Sequence, residues 1–166
     1  MKFFTATALA ATLAASTASA ETIAEIAAGN DDFSTLVAAA DAAGLVETLG
    51  SEGPFTVFAP TNAAFEALPE GTVESLLMEE NKDQLTQILL YHVVPGEVPS
   101  SAIEMGTMGA DTAAELQVCV TKSESGVMLE DGAGGMANVV TPDIEADNGV
   151  IHVIDAVIMP GEGASC

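Results

Sequence analysis

Arginine is absent from this sequence, and only three lysines stand against 25 acidic residues, giving a net charge of −22. Nucleic acid is bound by cations set against phosphates, so a chain with almost none has no means of holding it. Anionic membrane surfaces are disfavoured on the same ground. Tryptophan is also missing, with one tyrosine and six phenylalanines, so little flat aromatic surface is on offer. Long apolar runs are confined to the first twenty residues, and nothing later reaches the length of a membrane span. No internal repeat or linker interrupts the chain.

The first twenty residues have a separate logic. Met1-Lys2 is a minimal positive start, Phe3 to Ala15 is rich in Ala and Leu, and Ala18-Ser19-Ala20 is a small-x-small cleavage pattern. A signal peptide over 1–20 is the reading, with a buried N-terminal helix as the alternative. Glu21, rather than Cys, follows the cleavage site, which disfavours a lipid anchor. The remaining 146 residues, 21–166, suit one domain, expected to be exported to the periplasm or the extracellular space. Loss of Lys2 takes the net charge from −22 to −23. That excess predicts solubility and a fold stabilised by salt; the alternative is an acidic face for a cationic partner.

Two cysteines remain. Strand alternation puts Leu116, Val118 and Val120 on one face and Cys119 on the other, with Gln117 and Thr121. In an oxidising compartment an intrachain disulfide between Cys119 and Cys166 is expected. A free, buried Cys119 or a bond to another chain are the alternatives.

Residues 22–49 read as helical, with Asp31 or Asp32 capping a helix that carries Phe33, Leu36, Val37 and Ala40, and Gly44 ending it. Leu45 to Leu49 follows as a short second stretch. Thr56-Val57-Phe58 reads as a buried strand, Pro60 as a joint, and Thr61-Asn62 as the cap of a helix from Ala63 to Leu68. Thr72–Met78 and Asn81–Leu90 are further helices, the latter with a capping box from Asn81 to Gln84. The period then changes to two. Strands are expected at Tyr91–Val94, 115–122, 126–130, 136–141 and 150–158, with a helical turn at Ser101–Met105. The last strand is apolar on both faces and should be central. The class is α+β with a mostly antiparallel sheet.

Chemical motifs fail on inspection. Gly132-Ala133-Gly134-Gly135-Met136-Ala137 fits a relaxed dinucleotide fingerprint, but a β-branched stretch and Pro142 follow it instead of a helix, so it is a hairpin turn. Asp143, Glu145 and Asp147 alternate like calcium ligands, yet Asn148 and Ile154 stand where a calcium loop needs Gly and an acid. His92 and His152 sit among Val and Ile with no nucleophile elbow or zinc motif, the setting of buried structural histidines. No cofactor, metal or catalytic residue is expected, and the chain reads as a non-enzyme.

Three stretches in order, "TVFAPTNAAFEALP" at 56–69, "LLYHVVPGEV" at 89–98 and "VVTPDIEADNGVIHVIDAVIMP" at 139–160, closely resemble the motifs of the fasciclin domain. The resemblance implies a β-wedge with helices packed on it, in which Thr61, Asn62, Tyr91, His92 and His152 build the fold. Asn62 stands where the family often has Asp, so any contact from there to His92 is at most a neutral hydrogen bond. The resemblance also implies a non-catalytic adhesion module that contacts a cell-surface or matrix protein or glycan. Asp143-Ile144 matches the pair assigned to partner binding in animal relatives and is expected in a loop. Asn81-Lys82-Asp83, similar to another adhesion tripeptide, lies away from its matching motif and is set aside. A carrier of a small apolar, carotenoid-like ligand is the alternative, weakened by the scarcity of aromatics.

Overall fold

A computed structural model describes residues 21–162 and 166; the expected signal peptide lies outside them. The N-terminal half is helical. Helix α1 (Ile23–Ala28) opens with a capping box between Thr22 and Glu25, and α2 (Ser34–Ala43) ends at Gly44. Gly44 takes φ 72°, the left-handed turn that glycine adopts without strain. The cap ahead of α2 is neither aspartate. Asn30 accepts from Asp32 N–H and starts a 3₁₀ turn, Asp31–Phe33, that feeds the helix. After α3 (Val46–Leu49), strand β1 (Phe55–Pro60) leads into α4 (Asn62–Glu66) and α5 (Thr72–Leu76). A 3₁₀ turn then enters α6 (Lys82–Tyr91). Asn81 forms no capping box; its amide reaches back to Ser75 O at 2.8 Å.

The second half is sheet: β2 (Val93–Pro95), β3 (Gly106–Asp111), β4 (Gln117–Ser123), β5 (Gly126–Glu130), β6 (Met136–Ala146) and β7 (Gly149–Ile154). Their order is β2-β1-β7-β6-β5-β4-β3. All pairings are antiparallel except β1 with β7, which is parallel. The sheet curls until Ala113 N–H, just past β3, donates to Val93 O in β2 at 2.7 Å. The α+β wedge is thus as expected.

Several elements differ from the sequence reading. Tyr91 and His92 are not in a strand: Tyr91 ends α6 and His92 caps it, because Leu85, Ile88, Leu89 and Tyr91 continue the helix's buried stripe. Residues 101–105 form turns without a helix. Strand β3 was not expected, since Gly-Thr-Met-Gly-Ala-Asp lacks β-branched pairs and is held chiefly by its partner β4. Strand β6 runs on to Ala146 through two register shifts, so Asp143-Ile144 lies in a bulged strand, not a loop. Pro142 cannot donate to the ladder, and Asp143 takes φ 56° beside it. Strand β7 stops at Ile154, where Asp155 turns to bond Asn138 N–H at 2.8 Å.

Two apolar clusters flank the central strands. Val57, Ala59, Ile151 and Val153 face the helices with Ile23, Phe33 and Leu36. Phe58 and Ile154 face the interior of the curled sheet with Val118, Val120, Leu129 and Ile158. All six residues of β7 are buried, as a two-faced apolar strand requires. Gly149 permits the parallel pairing: a Cβ there would collide with the main chain of Phe55.

Candidate functional site

The β1–α4 corner is a fold element. Thr61 Oγ1 accepts from Ala64 N–H at 3.4 Å and caps α4. Asn62 reaches the other way, to the start of α2. Its carbonyl oxygen accepts from Thr35 N–H at 3.0 Å, and its NH₂ donates to Asp31 O at 2.8 Å. An aspartate would lack that second donor and would place a further negative charge beside Asp31 and Asp32. The amide therefore has a local reason, and its partners lie in the helical half; His92 is not among them.

His92 is fully buried and bonded on both ring nitrogens. Nδ1–H donates to Ile88 O at 2.8 Å, and Nε2 accepts from Ile158 N–H at 3.2 Å. Desolvation lowers its pKa to about 4, so the ring is neutral at pH 7. Tyr91, with no exposed surface, donates its hydroxyl to Gln117 O at 2.8 Å and accepts from Gly132 N–H at 3.2 Å. Burial raises the pKa of the phenol. These neighbours join α6 to the sheet interior and to the segment after β7.

His152, in β7, stacks on Phe58 with ring centroids 5.6 Å apart. Nε2–H donates to Val98 O at 2.8 Å, and Nδ1 accepts from Asp143 N–H at 3.2 Å. The Asp143 carboxylate accepts from Ser100 N–H at 2.6 Å and from the Ser100 hydroxyl. These bonds, the hydroxyl's first, lower the Asp143 pKa. Ser100, Asp143 and His152 are thus adjacent, but not as nucleophile and base: the serine meets the carboxylate, and both imidazole nitrogens are spent on main-chain groups. Ile144, half-buried, lies opposite Ile151 and packs on the helical core cluster.

The cluster pins segment 97–105. Thr56 Oγ1 accepts from Val98 N–H at 2.7 Å and donates to Gly96 O at 2.8 Å. Lys122 Nζ donates to Ser100 O at 2.8 Å and Ile103 O at 3.1 Å. Sequence reading singled out neither Thr56 nor Lys122, since their partners are carbonyls brought near only by the fold. Two further residues were missed. Asn148 accepts from Ile23 N–H at 2.9 Å and donates to Leu49 O and Ser51 O at 2.6 and 2.8 Å. Asp131 is buried and accepts from Ala133, Gly135 and Met159 N–H. Both lie at turns between strands, and a turn signal gives no sign of long-range bonds.

Cys119 and Cys166 form a disulfide, with Cα atoms 5.7 Å apart. Cys119 lies on the strand face opposite Val118 and Val120, as alternation required, and is nevertheless buried. Asp131–Gly135 forms the hairpin turn expected between β5 and β6. Among the described residues no helix is long and apolar enough to cross a membrane. An apolar cavity of about 70 Å³ lies between α1–α3 and the sheet, lined by residues such as Ile23, Phe33, Leu36, Val57 and Ile151. A cavity of roughly 150 Å³ holds a benzene, so this one is far too small for a polyene.

A model of the Fasciclin domain matches residues 31–160. Protein sll1483 of Synechocystis sp. is 54% identical over 146 residues, which cover 88% of this chain and 77% of the relative. Transforming growth factor-beta-induced protein ig-h3 of Sus scrofa is 40% identical over 144 residues, 84% of this chain but 19% of that protein. Among solved structures, a FAS1 domain pair from the insect cell adhesion molecule Fasciclin I matches with a TM-score of 0.56 at 20% identity. The match covers 75% of this chain and 43% of that one.

Proposed function

The chain belongs to the fasciclin domain family, and on that premise we propose that it is a non-catalytic adhesion module, exported by residues 1–20 to the periplasm or cell exterior. There it contacts a surface or matrix protein or glycan. The observation that carries the reading is the commitment of its reactive side chains. Both histidines, Tyr91 and Ser100 are bonded into the fold, which supports action by surface contact. A related structure is named for an insect cell adhesion molecule, which supports the same class. Asp143, exposed in the bulge of β6, with Ile144 beside it, is the proposed contact.

Beads coated with the protein, offered to the surface of its native cells, test this. Asp143→Asn keeps an acceptor for Ser100 N–H while removing the charge, and Ile144→Val keeps the β-branched shape. Attachment that falls several-fold at an unchanged melting temperature supports the contact; attachment equal to wild type removes it. The carrier reading has less support, given the size of the apolar cavity, and a polyene absorption band in protein from its native source would restore it.

A further inference from the structure

We propose that the outer edge of β3 is a docking site for an extended, lysine- or arginine-bearing segment of a partner protein, which adds to the sheet as an eighth strand. The site lies outside the Asp143-Ile144 contact. Strand β3 ends the sheet, paired only with β4 over six consecutive residues without a register shift. Among the described residues, nothing hydrogen-bonds to the main chain of Gly106–Asp111 from the other side. Gly106 and Gly109 are exposed; the space where a side chain would stand is empty at Gly106, while at Gly109 the Gln117 side chain and Cys166 Sγ lie on one side.

Edge strands are normally protected by proline, lysine, a bulge or an inward charge. From Gly106 to Ala110 none of these is present. The far end is closed by the Ala113–Val93 bond, so the open edge has a defined length. Strand addition supplies the free N–H and C=O groups with partners and requires little of the side chains.

Charge selects the occupant. Exposed Glu104 precedes the strand and Asp111, whose Oδ1 accepts from the Gln117 amide at 3.0 Å, ends it; Lys122, opposite Gly106, is turned to the carbonyls of Ser100 and Ile103. Among the described residues, no cation thus opposes an incoming basic segment at this edge. A second copy of the chain would bring another −22 and is disfavoured.

The probe is a capped octapeptide of alternating Val and Lys, titrated into the full chain at 0.15 M salt. Its controls are the same peptide N-methylated at alternate residues and an alternating Val–Glu peptide. Strand addition predicts binding at least tenfold tighter for the unmethylated Val–Lys peptide, with hydrogen exchange of the Gly106–Asp111 amides slowed at least tenfold. Met108→Lys, which places a cation on the edge, should weaken binding tenfold without lowering the melting temperature. Equal binding of the methylated peptide would mean charge attraction alone and overturn the proposal. So would slowed exchange confined to other strands, no binding, or a chain whose β3 edge is already closed by self-association. Should Met108→Lys fail to fold, the comparison of the two peptides on wild type decides.

Discussion

The imidazole of His92 accepts the main-chain N–H of Ile158 at 3.2 Å while donating to Ile88 O, so it is held as a neutral ring inside the core. Protonation would convert the acceptor into a donor facing Ile158 N–H. With a folded-state pKa of about 4 against 6.5, the unfolded chain takes up the proton first as pH falls. The His92 contribution to stability should therefore drop from about pH 6.5 downward and level off below about pH 4, a loss of at most about 3 kcal/mol. Denaturant melts at pH 7, 6 and 5 test it. His92→Gln should flatten the slope in that window, before most carboxylates titrate.

Asp143 acts in the same direction at lower pH. Its pKa is depressed by Ser100, so its contribution is present above the ordinary value of 3.8 and lost as pH falls through the folded value. Ser100→Ala should bring the Asp143 carboxyl back toward its ordinary pKa, measurable by carbon NMR of the side chain.

Salt should stabilise this fold. A net charge of −22 repels itself over the ~30 Å screening length at 0.01 M salt, shrinking to below ~8 Å above 0.15 M. The melting temperature should rise clearly between about 0.01 and 0.5 M NaCl; a flat series would refute the electrostatic account.

The disulfide closes a loop of sequence separation 47. Chain entropy alone gives about 4 kcal/mol for such a loop, an upper value. Cys119→Ser with Cys166→Ser should lower unfolding free energy by about 2–4 kcal/mol, and intact-mass measurement of the wild type should find it two hydrogens light.

Asn148 joins three main-chain groups from two separate segments. Replacement by Ala leaves Ile23 N–H, Leu49 O and Ser51 O without it, a loss of about 2–4 kcal/mol. A melting temperature within a degree of wild type would show that solvent replaces these bonds freely.

The sheet's centre was legible because Val150 to Ile154 is apolar on both faces, and that pattern has one burial solution. The disulfide was legible because alternation set Cys119 apart from Val118 and Val120. Tyr91 and His92 were placed in a strand because Tyr-His-Val-Val has strand composition; the stripe from Leu85 to Tyr91 outweighed it. Both are nevertheless buried and hydrogen-bonded. Asp143-Ile144 looked like a loop because Pro142 precedes it and Asn148-Gly149 follows. A bulge accommodates Pro142 within β6, and only the partner strand β7 reveals that. The bonds of Asn148, Asp131 and Lys122 join distant segments, which a single sequence does not mark.

The parallel pairing of β1 with β7 carries a consequence for the order of assembly. Strand β1 has no β7 to pair with until the chain has been made past Gly149, and Ile23 N–H waits for Asn148, 125 positions further on. Helices α1 to α3, made before every strand of the sheet, have no completed sheet to bury their apolar faces against. Such distant pairings close slowly, and a growing chain lengthens by roughly 5–20 residues per second. The polypeptide should therefore stay pliable until β7 has been made, the condition in which a chain can be threaded through a narrow membrane pore, and lock only once that strand has arrived.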